Sequence, residues 1–190
     1  IIGAPNAGKS SLLARISNST PHIADYPFST LEPVLGVVQL DEFESCVAAD
    51  IPGLIRGAHL GKGLGSQFLQ HVQRTRVLIH VVDLFPLEGN PVKNYEAVRR
   101  ELGLFDKSLL SRPVIVAANK IDLSEARDAV PNFLKSISAE EVIAISTITR
   151  EGLTDLLRAV RRILSKEAKN FPDKANGWEP LETQNKGPVT

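Results

Sequence analysis

The sequence predicts an α/β chain of three layers: a mostly parallel six-stranded sheet, its first strand truncated, with helices on both faces. Three observations predict it. A glycine-bounded loop, Gly3-Ala4-Pro5-Asn6-Ala7-Gly8-Lys9-Ser10, runs directly into a helical pattern. Two continuous apolar runs, residues 77–82 (V-L-I-H-V-V) and 113–118 (P-V-I-V-A-A), have the composition of parallel strands buried on both faces. Amphipathic patterns at helical spacing lie between and after them, and strands alternating with helices give a parallel sheet covered on both sides.

Taken in order, Ile1-Ile2 reads as the end of the first strand and residues 10 to about 17 as the first helix. Residues 20–33 carry three prolines and no periodicity, which predicts a long functional loop. Residues 34–40 (V-L-G-V-V-Q-L) and 45–49 read as strands. A stretch dense in glycine follows, from Gly53 to Gly65, then a helix over 66–75 with Phe68, Leu69 and Val72 on one face. Residues 92–104 predict an amphipathic helix carrying Tyr95, Val98, Leu102 and Phe105. Residues 124–134 predict another, broken or shortened by Pro131. A short strand over 141–145 precedes a final helix over 152–169, with Leu153, Leu156, Leu157, Val160 and Leu164 at helical spacing. The expected organisation is one domain over 1–169 and a proline- and glycine-bearing linker or tail over 170–190.

Composition narrows the function classes. The 22 basic residues balance 22 acidic ones, so contact with nucleic acid or membrane would have to be a local patch. One cysteine, Cys46, excludes an internal disulfide, suits a reducing compartment and reads as a small core hydrophobe. No signal peptide or spanning apolar run is found, so a cytoplasmic, membrane-free monomer is expected. The absence of methionine, even at position 1, suggests a piece of a longer protein.

The opening loop fits G-x-x-x-x-G-K-[ST], the phosphate-binding loop of P-loop nucleotidases. Its glycines let backbone amides approach a phosphate and form an anion nest at a helix N-terminus. Lys9 is placed to reach the β- and γ-phosphates, and the Ser10 hydroxyl to meet Mg²⁺. Asp50-Ile51-Pro52-Gly53 fits D-x-x-G: Asp50 would hold Mg²⁺ through a water, and the Gly53 amide would approach the γ-phosphate. In Phe28-Ser29-Thr30-Leu31-Glu32, within the first long loop, Thr30 is the candidate second Mg²⁺ ligand.

Asn119-Lys120-Ile121-Asp122 fits N-K-x-D and discriminates most. Guanine presents N1–H and a 2-amino group on one edge, and one carboxylate accepts from both. Adenine offers neither donor and would leave Asp122 unpaired. Asn119 would brace the loops, and the Lys120 stem would lie along the base. Ser146-Thr147-Ile148 stands where a backbone amide would meet guanine O6. The nucleotide set is therefore residues 3–10, 28–32, 50–53, 119–122 and 146–148, with Lys9, Thr30 and Gly53 as the catalytic candidates and Ser10, Thr30 and Asp50 as the metal candidates.

With these motifs assembled, the chain resembles the GTPase domain of the Obg family, a Ras-like type of P-loop fold. Beside the phosphate loop the likeness rests on Tyr26-Pro27-Phe28-Ser29-Thr30-Leu31, Leu35-Gly36-Val37-Val38, Asp50-Ile51-Pro52-Gly53-Leu54-Ile55, Gly57-Ala58, and Gly61-Lys62-Gly63-Leu64-Gly65 with Phe68-Leu69. It covers roughly residues 1–166. It implies slow hydrolysis of GTP to GDP with Mg²⁺, a switch acting in large ribosomal subunit assembly, and ribosomal RNA and proteins as partners. It also implies an N-terminal glycine-rich domain, which this chain is expected to lack. Ser29 departs from the family's usual Thr, Arg56 from a usual acidic residue, and Thr147 from a usual Ala.

Alternative readings are a guanine-nucleotide-binding module with negligible hydrolysis, since Leu54 stands where Ras-like enzymes place a water-orienting glutamine, or a GTPase of tRNA modification or membrane transport. Leu54 is expected to play no catalytic part. Asn6 occupies a loop position where asparagine occurs in potassium-activated GTPases, so K⁺ is a second candidate cofactor; the bland reading is that Asn6 stabilises the turn. His80 reads as a packed core histidine, and His59 as an exposed one. Arg158, Arg161, Arg162, Lys166 and Lys169 make the last helix basic, through charge favourable near a helix C-terminus or as an RNA contact.

Overall fold

A computed structural model describes residues 1–18, 20–23, 34–50, 75–139 and 141–170, with the side chains of 168–170 excepted. The elements are β1 (Ile2–Gly3), α1 (Lys9–Ile16), β2 (His22–Ile23), β3 (Val34–Gln39), β4 (Ser45–Asp50), β5 (Leu78–Asp83), α2 (Pro91–Phe105), a 3₁₀ turn (Lys107–Ser111), β6 (Val114–Asn119), α3 (Ser124–Ser136), β7 (Glu141–Ala144) and α4 (Leu153–Asn170). Strands β1-β5-β6-β7 form a parallel sheet in that order, and β2-β3-β4 an antiparallel one.

The apolar runs become the sheet's centre. Every residue of β5 is buried, as are all but the first of β6. Because strand side chains alternate, β5 sends Ile79 and Val81 to a cluster with Leu12, Leu13, Leu156 and Val160, under α1 and α4. Leu78 and Val82 face the other way, to Val98 and Leu102 of α2 and to Phe133 of α3. Helices thus cover both faces, as the alternation predicts. Pro91 opens α2, and the Asn90 side chain accepts from the amides of Val92 and Lys93 at 2.9 and 3.4 Å, capping donors the helix cannot satisfy itself.

Two expectations are corrected, and one element was not foreseen. Among the described residues, seven strands fall into two hydrogen-bonded groups, the larger of them the parallel sheet that the alternation predicts. Strand β1 is two residues long, and Ile1 N, just before it, donates to the Ala49 carbonyl of β4 at 2.6 Å and so links the two groups. Residues 22–23, assigned to a loop, pair with Leu35 and Val34 of β3; two residues are too few to show a period. The turn over Lys107–Ser111 was not foreseen; its Asp106 cap accepts from Ser108 N at 2.8 Å. Pro131 does not break α3, which continues to Ser136. Pro131 is exposed, so water can reach the carbonyl its missing N–H leaves free, while Ala126 and Phe133 bury the opposite face and hold the helix. The helix expected over 66–75 and the tail after 170 lie outside the described residues, Thr75 apart.

Candidate functional site

The polar residues that end β4, β5 and β6 lie on one edge of the sheets with the loop before α1. The loop closes on itself through Ala7 N donating to the Ala4 carbonyl at 3.2 Å, and Asn6 takes φ 60°. Gly8 takes φ 99°, and a Cβ there would stand 2.3 Å from Asn119 Nδ2, so glycine is required for both angle and room. Helix α1 follows at once. The Lys9 ammonium donates to the Ala4 carbonyl at 3.2 Å, folded over the loop it belongs to. Burial pushes its pKa below the ordinary value, an effect the charge of Asp50 opposes.

The Ser10 hydroxyl donates to Asp50 Oδ2 at 2.6 Å. Asp50 is 3% exposed, and its Oδ1 is buried with no hydrogen-bond partner among the described residues. A buried carboxylate oxygen without a donor is costly, and a hydroxyl beside it supplies a second hard oxygen. These two residues fit Mg²⁺, which keeps most of its waters and takes few protein ligands. Thr30, the third metal candidate, lies outside the described residues, as do Phe28, Ser29, Leu31, Glu32, Ile51, Pro52, Gly53, Leu54, Arg56 and His59.

The N-K-x-D residues form a tighter assembly. Asn119 ends β6 and is 1% exposed. Its Nδ2 donates to the Ala7 carbonyl at 2.8 Å, and its Oδ1 accepts from Thr147 N at 3.2 Å, so one amide ties the phosphate loop to the loop after β7. Lys120 takes φ 76°, and its ammonium meets Asp83 Oδ2 at 2.5 Å. Ile121 is buried beneath, its amide donating to the Ile145 carbonyl at 3.2 Å. Asp122 Oδ1 accepts from the Ser146 hydroxyl at 2.6 Å, and Ser146 Oγ itself accepts from Ile148 N and Thr149 N at 3.2 and 3.1 Å. Gly3, Ala4, Ala7, Gly8, Lys9, Ser10, Asp50, Asn119, Asp122 and Ser146 to Ile148 are therefore brought together, while Pro5 and Asn6 stand exposed at the loop's rim.

Sequence reasoning missed three side chains here. Asp83 ends β5 in register with Asn119; its place as the last residue of a buried strand, like Asp50 and Asn119, was the available signal. Arg15, on the exposed side of α1, donates through Nε to the Thr147 carbonyl at 3.0 Å. Arg127 of α3 makes a two-point pair with Glu151 at 2.9 and 2.8 Å, on the loop that holds Ser146. Neither arginine has a sequence signal, because each partner is remote in the chain.

His80 is a core residue, as expected: 1% exposed, and stacked on Tyr95 with centroids 4.9 Å apart. Its Nδ1 has no partner among the described residues, and burial, with Arg99 and Lys9 adding to it, lowers its pKa to about 3. Cys46 is half-buried against the core, its thiol pKa raised mainly by burial. Three arginines of the basic α4 pair with acids. Arg158 pairs with Asp155, Arg161 with Asp41 and Glu44, and Arg162 with Glu141, which favours a solvated ion-paired face over an RNA contact. No described helix is long and apolar enough to cross a membrane.

Comparison with known proteins agrees with this geometry. The family described as "50S ribosome-binding GTPase" matches residues 1–120. The GTPase Obg of Desulforudis audaxviator (strain MP104C) is 54% identical over 166 residues, 86% of this chain and 39% of that protein. The GTPase Obg of Anaeromyxobacter sp. (strain Fw109-5) is 52% identical over 174 residues, 88% of this chain and 49% of that protein. The chain thus spans half or less of the length of these curated relatives. Among solved structures, the G domain of the T. maritima FeoB iron transporter aligns with TM-score 0.60 at 24% identity, covering 86% of this chain and 95% of that one. A nucleolar GTP-binding protein 1 from Plasmodium falciparum aligns with TM-score 0.58 at 19% identity, covering 89% and 86%. These structures establish the fold alone. By the family match and the sequence identities, the chain belongs to the 50S ribosome-binding GTPase family and, within it, to the Obg GTPases.

Proposed function

We propose that this chain binds GTP and hydrolyses it to GDP and phosphate, as the switch domain of a protein acting in the cytoplasm on the large ribosomal subunit. The observation that carries the nucleotide reading is the double role of Asn119, which joins the phosphate loop at Ala7 to the base-side loop at Thr147 and so fixes the distance between them. Asp122 reads the guanine edge. One oxygen is held by Ser146, leaving lone pairs on both for N1–H and the 2-amino group. The loop amides and Lys9 receive the phosphates, and binding returns the Lys9 ammonium to a partner that favours its charge. Ser10 and Asp50 would hold Mg²⁺, which neutralises charge developing on the phosphates. Thr30 and the Gly53 amide are assigned to sensing the γ-phosphate. On this reading residues 1–169 are assigned to the GTPase domain and 170–190 to a linker or tail.

Titration with fluorescent GDP and GTP tests the binding. Asp122→Asn replaces an acceptor by a donor and should weaken GTP about 100-fold while admitting xanthosine triphosphate, given that a hydrogen bond to a charged group is worth about 1.5–3 kcal/mol. Unchanged GTP affinity would refute the assignment. Leu54 in place of glutamine favours a second reading, a binding module with negligible turnover. Single-turnover hydrolysis with and without ribosomal subunits decides between them. The same assay in K⁺ against Na⁺, at matched ionic strength, tests Asn6: a rate gain in K⁺ that Asn6→Ala erases supports a cation there. Equal rates leave Asn6 the turn role that its φ of 60° already explains.

A further inference from the structure

Lys120 combines two features that the motif alone does not require. Its backbone is left-handed at φ 76°, a region that costs a long side chain about 1–2 kcal/mol and persists only where the surroundings impose it. Its ammonium is set on a carboxylate whose side chain is only 8% exposed, Asp83 Oδ2, at 2.5 Å. Asp83 is itself fixed. It is the last residue of β5, in register opposite Asn119, and its Oδ1 accepts from Phe85 N at 2.9 Å. A carboxylate this buried needs a cation or several donors, and a four-carbon stem needs a reason to stay in one pose, since a free one keeps about 2 kcal/mol of rotamer entropy.

Resting on the guanine-nucleotide reading above, we propose that Asp83 is a positioning residue for the base: it acts through Lys120. Backbone and carboxylate hold the two ends of the stem, so its methylenes form a fixed apolar wall beside Asp122. The pairing satisfies one of the three ammonium donors and removes the cost of laying an unpaired charge against a purine face; the other two remain for ribose or ring oxygens. Asp122 reads the edge of the base, and the Asp83–Lys120 pair supplies its floor. Because the wall exists before the nucleotide arrives, the ordering cost is met in folding rather than in binding.

The experiment is a double-mutant cycle on GDP affinity in the full chain, using Asp83→Asn and Lys120→Met. Asn at 83 keeps the acceptor for Phe85 N and removes the charge; Met at 120 keeps an apolar stem and removes the ammonium. Asp83→Asn should weaken GDP about tenfold, the scale of one charge-assisted bond. In the Lys120→Met background it should weaken GDP by less than twofold. Single-turnover hydrolysis at saturating GTP should change by less than twofold in Asp83→Asn, with the loss confined to the nucleotide concentration required. Equal penalties in both backgrounds, or affinity within twofold of wild type, would overturn the proposal. If Asp83→Asn does not fold, ¹⁵N relaxation of the Lys120 ammonium in the unmutated, nucleotide-free protein decides: a restricted ammonium supports the pairing, and one as mobile as surface lysines overturns it. Absence of GDP and GTP binding by the wild type would instead sink the function itself. Wild-type binding with the expected Asp122→Asn switch, but no Asp83 effect, would sink this proposal alone.

Discussion

The two ends of the candidate site are built differently. At the base end the protein satisfies itself: Asn119 bonds to Ala7 and Thr147, Ser146 bonds to Asp122, and Lys120 pairs with Asp83. At the phosphate end, among the described residues, it does not. Asp50 Oδ1 is buried without a partner among the described residues, and Lys9 is desolvated and turned back onto a carbonyl of its own loop. On the proposed reading, the difference matches what each end would recognise. A neutral base is selected by shape and by a few hydrogen bonds, so rigidity before binding raises affinity. A polyphosphate with its cation brings charge, and groups held slightly unsatisfied gain most when that charge arrives.

Gly8 is the joint between the ends, and breaking it should have the largest effect. Gly8→Ala would hold a Cβ at φ 99° and 2.3 Å from Asn119 Nδ2. The side chain of Asn119 would have to leave the Ala7 carbonyl. Backbone strain and an orphaned buried amide together should cost about 3–5 kcal/mol. Calorimetry should show GTP binding lost at micromolar protein, and thermal melting should show a destabilised fold. Retained affinity would mean that the two ends are not coupled through Asn119.

The frame beneath both ends can be tested by pH. His80 is neutral in the fold, with its pKa lowered to about 3 against an ordinary value near 6.5. Below pH 6.5 the unfolded chain takes up a proton that the folded chain refuses, so stability falls as pH falls from 6.5 towards 3. The slope approaches about 1.4 kcal/mol per pH unit for one group. Denaturant melts at pH 7.5 and 4.5 should therefore differ less in His80→Phe than in the wild type. An unchanged difference would assign the acid sensitivity to the carboxylates.

How much of this was legible follows from the range of each interaction. Motifs whose chemistry is local, such as the glycine angles at 3 and 8 or the spacing of Lys9 and Ser10, can be read directly from residues. Strands β5 and β6 were legible because burial on both faces leaves an unbroken apolar run. Pro131 misled because propensity is local while the hold on α3 is tertiary, through Ala126 and Phe133. Arg15 and Arg127 were silent because their partners lie 132 and 24 residues away, and Asp83, 37 residues from Lys120, carried only its place at a strand end. No period or motif marks such a pair; the topology that brings strand ends together creates it.

Arg15 offers the smallest and most selective test of the comparison. It joins α1, which begins at the phosphate loop, to the carbonyl of Thr147 on the base side, at 3.0 Å. The bond is the part-buried counterpart of the one Asn119 makes inside, with Arg15 open to water and Thr147 buried, so water competes at the arginine. Its worth should be about 0.5 kcal/mol, at the low end for a hydrogen bond because the donor stays in water. Arg15→Ala should therefore leave melting and phosphate-end behaviour unchanged, and speed GDP dissociation about twofold by loosening the loop that carries Ser146. Arg158→Ala, which removes an exposed pair with Asp155 on α4, should leave dissociation unchanged. If Arg15→Ala slows GDP release, or if both variants speed it equally, the Thr147 contact is not a clamp and the base end is held by its buried bonds alone.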